Sequence, residues 1–491
     1  RQSSAEYKQS RKSVKQIGQE LGVQYLLTGT VRWEKRGSGS RVRVSPELVQ
    51  VATASTRWQQ PFDAAMVDVF QVQGEIAGQV AEALDVALGA KEKRTLADRP
   101  TASLAAYEAY LKGEYEQAVT LDPAFARAWA ALSISRTFRY INSSSKAGEV
   151  AAMGAAARLA AERALALDPE HPDSRRAMGF YLGQVETDLT GAAEQYAVAL
   201  RKAPNDALII VDVAGIERSL GRWAAALAHY ERAAVLDPRT ATTSSALGGT
   251  LLWLRRYPEA RAALDGALAL APANFDFIQE RAMVDLAQGN LAAARQVLAA
   301  ATKEVEPVEL AAFMATYFDL GWALDEPGQR LLLGLTPEPF ADDTLAWGLV
   351  LAQMHAFRGD ERRARAYADS AQAAAESALR TLPEDAQLHV LLGLALAYLG
   401  RRDEAVAEGK RGVALLPVAN DAYGGAYFQH QLARIYILVG EPEKALDQLE
   451  PLLKISYYLS PGWLKIDPTF DSLRGHPRFE RLLRQSPADG E

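Results

Sequence analysis

The feature that most constrains this chain is a proline that recurs at a nearly fixed interval. Pro123, Pro169, Pro204, Pro238 and Pro272 follow either Leu-Asp or Ala, and they are separated by 46, 35, 34 and 34 residues. A period of about 34 residues indicates an array of similar units, none of which buries its apolar face alone. We therefore predict a stacked array over most of the 491 residues, although that length also allows three or so globular domains.

Small residues recur in the same register as the prolines. They stand twelve and five residues before the last three prolines, with a larger side chain between them: Ala192, Tyr196 and Ala199; Ala226, Tyr230 and Ala233; Ala260, Leu264 and Ala267. Small residues let helices approach closely, so each unit is predicted to be a pair of packed helices. Leu247-Gly248 and Leu392-Gly393 mark the first helices of two units. The alternative is a generic Ala-rich helical bundle with chance spacing, which four marks recurring in register disfavour.

This register resembles the tetratricopeptide repeat (TPR), which implies two antiparallel helices per unit and a right-handed superhelix. Eight units are predicted: 124–169, 173–204, 206–238, 240–272, 274–305, 343–382, 385–417 and 421–455. Residues 307–340 read as a degenerate unit in which Pro327, Pro337 and Pro339 prevent a full second helix. The stretch 111–123 is about a dozen residues too short for a unit. It is either a single helix or a place where a segment is absent.

The first 95 residues have a different texture. We predict a helix at 13–21, strands at 25–33 and 41–51 joined by a turn at 37–40, a third strand at 56–62 and a helix at 68–88. This head carries 14 Lys and Arg against 10 Asp and Glu, a net charge of +4. The remaining residues carry 40 Lys and Arg against 51 Asp and Glu, a net charge of −11. The two parts together give the overall net charge of −7. Such an acidic balance argues against nucleic acid as a partner of the whole chain.

The head is similar to the second half of the TolB-like amino-terminal domain that precedes TPRs in bacterial regulators. The resemblance is carried by IGQELGV from Ile17, YLLTGTVR from Tyr25, RVRVSPEL from Arg41 and DVFQVQGEIA from Asp68. The ending IDPTFDSLRGHPRFERLL from Ile466 matches the usual end of the same proteins. The expected fold is mainly α: a TPR α-solenoid with a small, partial α/β head. The domains are then 1–95 (TolB-like), 96–340 and 341–457 (solenoid) and 458–491 (capping segment).

The residues point to no reaction. The chain has no Cys, and no two of its six His stand three to five residues apart, so we expect neither a metal site nor a catalytic residue. It also lacks the glycine-rich loops and the nucleophile and kinase motifs. No cofactor is expected. The longest apolar stretch, 388–399, is short of the ~20 residues that span a bilayer, and the compartment stays open, with a bacterial extracytoplasmic site slightly favoured.

The candidate binding site is the groove that the first helices of stacked TPRs line. Six residues fall at groove positions in register: Arg176, Phe180, Arg218, Tyr427, His430 and Arg434. Arginine binds carboxylates through two parallel hydrogen bonds, which favours an acidic or C-terminal peptide as the partner. The alternative is that these charges are solvated or paired within the repeats.

The leading functional hypothesis is a non-enzymatic module that binds peptides or partner proteins in a bacterial signalling or envelope-associated protein. One alternative is a structural solenoid that self-associates into oligomers or filaments, because solenoid ends expose apolar faces. The other follows from the family resemblance. It makes the chain the regulatory region of a Ser/Thr kinase or cyclase whose catalytic domain lies upstream of Arg1, where we expect the chain to be truncated.

Overall fold

The computed structural model is described here over residues 7–8, 10–34, 41–65, 69–86, 89, 99–141 and 147–484. Contacts between residues divide the chain into two compact units. One comprises 1–135, 157–178 and 237–239, and the other comprises 136–156, 179–236 and 240–491. Because these units follow neither of the predicted boundaries at 95 and 340, the predicted domain limits stay predictions.

The head contains a four-stranded antiparallel sheet and two helices. Their bounds are β1 Tyr25–Glu34, β2 Arg41–Gln50, β3 Ser55–Gln59 and β4 Phe62–Ala65, with α1 Val14–Leu21 and α2 Val69–Ala83. Strand β2 pairs with β1 along its whole length and with β3 and β4 on its other side. The predicted single strand 56–62 is wrong, since it is two strands separated at Pro61, which has no N–H for the ladder. The predicted turn 37–40 and Asp68, the first residue of the predicted helix 68–88, lie outside the described residues.

Helix α1 has the ends that its sequence predicts. Ser13 and Gln16 form a capping box at its start, and Gly22 ends it with a left-handed φ of 66°. A Cβ on Gly18 would lie 2.3 Å from Cγ1 of Val51, so this glycine lets α1 pack directly on the end of β2. The capped helix and the hairpin therefore form one small core.

The short stretch after the head is a helix pair. Helices α3 Leu104–Leu111 and α4 Tyr115–Leu121 are joined through Gly113, whose φ is 82°. Of the two alternatives for 111–123, the structure has the single helix, α4, and the left-handed Gly113 turns the chain so that α3, just before it, completes a short pair. The aromatic rings of Tyr110 and Phe125 pack 5.2 Å apart and help to close this short pair.

Each predicted repeat contains two helices. Those of the first five are α5 Ala126–Ile141, α6 Ala147–Leu167, α7 Pro172–Gln184, α8 Leu189–Lys202, α9 Ala207–Ser219, α10 Trp223–Leu236, α11 Ala241–Trp253, α12 Tyr257–Leu270, α13 Phe275–Ala287 and α14 Leu291–Ala301. The degenerate unit holds α15 Pro307–Thr316 and α16 Glu326–Leu332 with 3₁₀ turns at 320–323 and 338–340. The later helices are α17 Thr344–Phe357, α18 Glu361–Leu379, α19 Ala386–Tyr398, α20 Arg402–Leu415, α21 Gly424–Leu438 and α22 Pro442–Leu452. The fold is thus mainly α, a TPR-type array with a small sheet-containing head.

The residues of the repeat register are the contact points between helices. The paired alanines of the register are all fully buried: Ala192, Ala199, Ala226, Ala233, Ala260 and Ala267. A Cβ on Gly248 would lie 2.5 Å from Cγ of Leu264, so the first-helix glycine accommodates the second-helix leucine. The period seen in the sequence is therefore a period of close helix contacts.

The C-terminal segment folds back on the first helices of the second unit. It holds α23 Pro461–Ile466, a 3₁₀ turn at 468–473 and α24 Pro477–Leu483. Arg255, just after α11, donates to the carbonyls of Leu453 and Leu459 at 3.0 and 3.3 Å. Trp253 packs edge-on to Tyr457 at 5.0 Å, and both are buried. This segment therefore occupies part of the surface that first helices leave open in a simple array.

Gly393 tests the importance of close contact. An added Cβ would lie 2.9 Å from the Ala405 carbonyl oxygen and 3.0 Å from the Gly409 nitrogen, both backbone atoms. We expect Gly393→Ala to lower the free energy of unfolding by about 1–3 kcal/mol in urea denaturation. The matched control is Gly266→Ala in α12, where nothing lies within 4 Å of the new Cβ. This control should gain about 0.5–1 kcal/mol from helix propensity, and equal effects of the two changes would contradict the packing argument.

Candidate functional site

The predicted groove residues do not lie together on one open surface. Arg218, Tyr427, His430 and Arg434 are all found at α21 or in contact with it, since Arg218 stacks on Tyr423 just before that helix. Phe180 instead packs against Phe138, with 4.9 Å between ring centroids. On the same helix as Phe180, Arg176 is half-buried and has an interaction partner. The role of these six residues in peptide binding stays a prediction.

Arg434 is the centre of a buried polar cluster, called here the closed cluster and made of Asp319, Tyr427, His430, Gln431 and Arg434. Its guanidinium Nη1 lies 2.5 Å from Oδ2 of Asp319 and donates to Oε1 of Gln431 at 2.7 Å. Gln431 and Tyr427 also donate to Asp319, at 2.7 and 3.2 Å. Burial is the largest single effect and lowers the pKa of Arg434, but the charges of Asp319, Tyr398, Tyr427 and Asp467 together outweigh it, and the pKa is raised.

Asp319 reaches this cluster from outside the regular repeats. It stands between α15 and the 3₁₀ turn at 320–323 with a left-handed φ of 58°, next to Phe318 at 59°. Two consecutive non-glycine residues in the left-handed region of backbone conformation are uncommon. With this backbone conformation, the side chain of Asp319 lies where it pairs with Arg434. No repeat period marks Asp319 in the sequence, which is why sequence reasoning missed it.

His430 is buried beside the aromatic C-terminal segment. Its Nδ1 lies 3.2 and 3.1 Å from the hydroxyl groups of Tyr457 and Tyr458, and within the described ranges its Nε2 has no hydrogen-bond partner. Burial first, and then the charge of Arg434, lower the pKa of His430 to about 3. The imidazole is therefore neutral at physiological pH and acts as a packed, hydrogen-bonded side chain.

Arg218 is similarly engaged within the fold. Its guanidinium lies over the Tyr423 ring at 4.2 Å from the centroid, which is a cation–π contact. Its Nε is buried and has no hydrogen-bond partner within the part of the chain that the structure describes. Arg218 thus contacts the residue that precedes α21, while Arg434, on α21, contacts Asp319.

Glu280, on the first helix α13, is a desolvated acidic residue with the charge of Arg218 nearby. Its Oε2 accepts a hydrogen bond from Ser245 at 2.5 Å, and Gly249 leaves room for it, since a Cβ there would lie 2.8 Å from Oε1. No ion pair to Glu280 is found across the described ranges. Burial raises the pKa of Glu280 to about 7, against the smaller lowering effects of Ser245 and Arg218.

An exposed aromatic surface lies next to Glu280 and is called here the open patch: Asp276, Phe313, Tyr317 and Asp343. Phe313 and Tyr317 pack 4.7 Å apart on α15 and just after it, and Tyr317 is 54% exposed. Asp276 keeps an exposed side chain, yet the protein atoms around it desolvate the carboxylate enough to raise its pKa. Partial burial, followed by the charges of Asp276 and Asp343, raises the pKa of Tyr317.

The described residues hold no group of three or more His, Asp or Glu placed to bind a metal ion. Among the helices in these ranges, none has the length and apolar character needed to cross a bilayer.

Comparisons with known proteins give limited likeness. No protein-family model matches the chain. A putative adenylate cyclase 3 of Rhizobium meliloti strain 1021 is 28% identical over 159 residues, which cover 29% of this chain. The match spans 26% of that protein, about a quarter of its length.

Several solved structures also show similarity. The Pseudomonas aeruginosa protein PilF is 17% identical, covers 46% of this chain and 99% of its own, and has a TM-score of 0.33. For PilW, a type IV pilus biogenesis factor, the identity is 16%, the coverage 46% and 94%, and the TM-score 0.34. YrrB, a TPR protein with an unusual peptide-binding site, is 19% identical with coverage of 46% and 94% and a TM-score of 0.22. The fold assignment rests on the helix pairs of this chain itself.

Asp319→Asn tests the closed cluster. The asparagine keeps the size of the side chain and tolerates a left-handed φ, but it leaves the Arg434 charge buried without its counterion. We expect the free energy of unfolding to fall by about 3 kcal/mol in urea. The control Asp342→Asn changes an exposed aspartate that also has a left-handed φ, of 60°, and it should change stability little. A loss of similar size in both variants would mean that backbone conformation, not the ion pair, is responsible.

Glu280→Gln tests the desolvated carboxylate. A pKa of about 7 in the folded state lies above the ordinary 4.5, so the folded state binds more protons than the unfolded state between these pH values. The wild-type protein should therefore lose stability as pH rises from 4.5 through 7. Relative to wild type, the glutamine variant should be more stable at pH 8, by about 1–3 kcal/mol, and nearly equal at pH 4. Glu384→Gln, at an exposed position, is the control. A stability difference between Glu280→Gln and wild type that is the same at pH 4 and pH 8 would contradict the prediction.

Proposed function

We propose that this chain is a non-catalytic interaction scaffold that binds peptides or partner proteins on its first helices. A TPR-type array supplies a long surface built from the same helix in successive units, which suits extended segments of other proteins. The observation that carries the proposal is the open patch, where Tyr317 is 54% exposed and packs on Phe313. An exposed tyrosine supported by a second ring suits a recognition surface, because tyrosine is enriched among the residues that dominate binding energy.

The charges of this surface favour a basic partner segment. Arg218 and Arg434, which favoured an acidic peptide on sequence grounds, are engaged with Tyr423 and Asp319 inside the fold. Asp276, by contrast, has no ion pair in the described ranges, and its carboxylate is partly desolvated. A Lys or Arg of the partner could lie over the Tyr317 ring and pair with Asp276. Both contacts gain from the partial exclusion of water.

A second candidate is a regulatory role in a protein with a cyclase domain. It is supported by the 28% identity to a putative adenylate cyclase over 159 residues. In that case the scaffold would hold a partner that controls the catalytic domain. Signalling and envelope-associated settings both remain compatible with the scaffold proposal, which depends on the binding surface alone.

A peptide array tests the scaffold proposal. Extended peptides of equal length, carrying either Lys and Arg or Glu and Asp around one aromatic residue, would be screened with the whole chain and ranked by fluorescence polarisation. We expect basic peptides to bind more tightly, and Tyr317→Ala and Asp276→Asn each to weaken them roughly tenfold, because each removes about 1–2 kcal/mol of contact. Binding should also weaken as salt rises.

Matched surface variants keep this test specific. Val235→Ser removes an apolar side chain that is 80% exposed on α10, and Asp369→Asn removes an exposed carboxylate on α18. Both should leave the affinity unchanged. Tighter binding of acidic peptides, lost in Arg218→Gln and kept in Tyr317→Ala, would overturn the open patch and favour the arginines. Absence of binding to every peptide would count against the scaffold role itself.

A further inference from the structure

Strand β1 of the head is an edge strand with an accessible backbone. Across the described residues it pairs with β2 along ten positions, from Tyr25 with Gln50 to Glu34 with Arg41, and its other side is unpaired. Gly29 at its centre has no side chain and is nevertheless exposed, so the backbone itself is open to solvent there. A long, open strand edge is a template for another strand, and proteins that keep one unpaired usually block it with charge, proline or a bulge. From Tyr25 to Val31 this strand has none of these.

The apolar face of the sheet continues onto this edge without cover. Leu27 lies opposite Leu48 and Val31 opposite Val44 in the pairing of β1 with β2. Leu48 is 2% exposed, whereas Leu27 and Val31 are 51% and 50% exposed. The core side of the sheet therefore ends in a pair of aliphatic side chains that no described element covers.

The sequence of β1 is nearly symmetric about Gly29. Thr28 and Thr30 flank the glycine, Leu27 and Val31 follow at two residues on either side, and Tyr25 and Trp33 follow at four. When two such strands pair antiparallel with their glycines opposite each other, Leu27 of each copy faces Val31 of the other. The threonines then face each other on the opposite side of the sheet. Aliphatic pairs and Thr–Thr pairs are favourable cross-strand neighbours.

We propose that two copies of this chain associate through β1, forming a continuous antiparallel sheet across a two-fold axis at Gly29. The contact is self-complementary, as a two-fold interface requires. Arg32 would face Leu26 of the second copy, so no like charges oppose each other. A shift of two residues would place Gly29 opposite Leu27 or Val31 and lose the aliphatic pairs, so the register is specified.

This inference is independent of the peptide surface in the second unit. Gly29 itself is unsuitable as a test, because a Cβ there would lie 2.8 Å from the Ser45 carbonyl oxygen and would disturb the hairpin. Leu27 and Val31 are suitable because their exposed side chains can change without emptying the core. An interface of one strand per copy is small, so the dimer should dissociate on dilution.

Sedimentation velocity of the whole chain over a concentration series up to about 0.5 mM measures the association. We expect a monomer–dimer equilibrium in the wild-type protein and a monomer for Leu27→Lys/Val31→Lys, in which like charges would face each other. Circular dichroism would establish that this variant stays folded. A wild-type monomer at every concentration overturns the proposal, and so does a dimer that persists in the lysine variant.

Disulfide cross-linking tests the register, since the chain contains no Cys. In Leu27→Cys/Val31→Cys the two thiols of one copy face those of the other, at a distance that opposed strand residues can bridge. Residues four apart on one strand are about 13 Å apart and cannot form a disulfide within a copy. Oxidation should therefore give a covalent dimer with the double variant, or with a mixture of the two single variants, but not with either single variant alone. Equal cross-linking of a single variant, or none of the double variant, would overturn the two-fold register.

Discussion

The second unit depends on the packing of its C-terminal aromatic segment against the first helices of earlier repeats. Tyr457, Tyr458 and Trp463 are at most 1% exposed, and each buries a large apolar surface. Tyr457 and Tyr458 meet Trp253 at the end of α11, Trp463 packs on Trp322, and the Ser460 hydroxyl donates to the carbonyl of Ala287 at the end of α13. A stack of helix pairs contacts its neighbours along one direction. This segment adds contacts between residues some two hundred positions apart, such as Arg255 with Leu453.

The same packing decides the electrostatics of the first helices. Where the C-terminal half covers them, charged groups lose water and need partners within the fold. Arg434 has Asp319, while His430 stays neutral because burial and the nearby arginine lower its pKa to about 3. Glu280 is also desolvated and has no ion pair in the described ranges, and burial raises its pKa to about 7. The charged groups of the first helices are thus divided into those engaged within the fold and those, such as Asp276, that stay exposed to solvent.

Much of the fold could be predicted from the sequence because helix caps and periodic small residues are local patterns of residues. The capping box of Ser13 and the stop at Gly22 define one helix end to end, and the alanines of the register mark where helices touch. Exceptions arose where one residue redirects the chain. Pro61 splits the expected third strand, and Gly113 pairs the helix at 115–121 with a short helix before it that was not predicted. Asp319 of the closed cluster and Tyr317 of the open patch were not predicted, since both lie outside the regular repeat pattern.

The sequence by itself determined the helix pairs, the close contacts within each pair and the symmetric strand of the head. These depend on residues near one another in the chain, and spacing alone reveals them. Only the tertiary structure decided which first-helix residues stay available, because that depends on where a distant segment folds back. Arg218 and Arg434 were predicted at groove positions by register, but the groups that engage them, Tyr423 and Asp319, lie about two hundred and one hundred residues away in the chain. The burial of a charged side chain and its ion pairing depend on the whole tertiary structure. The repeat period in the sequence therefore does not show which charges face solvent.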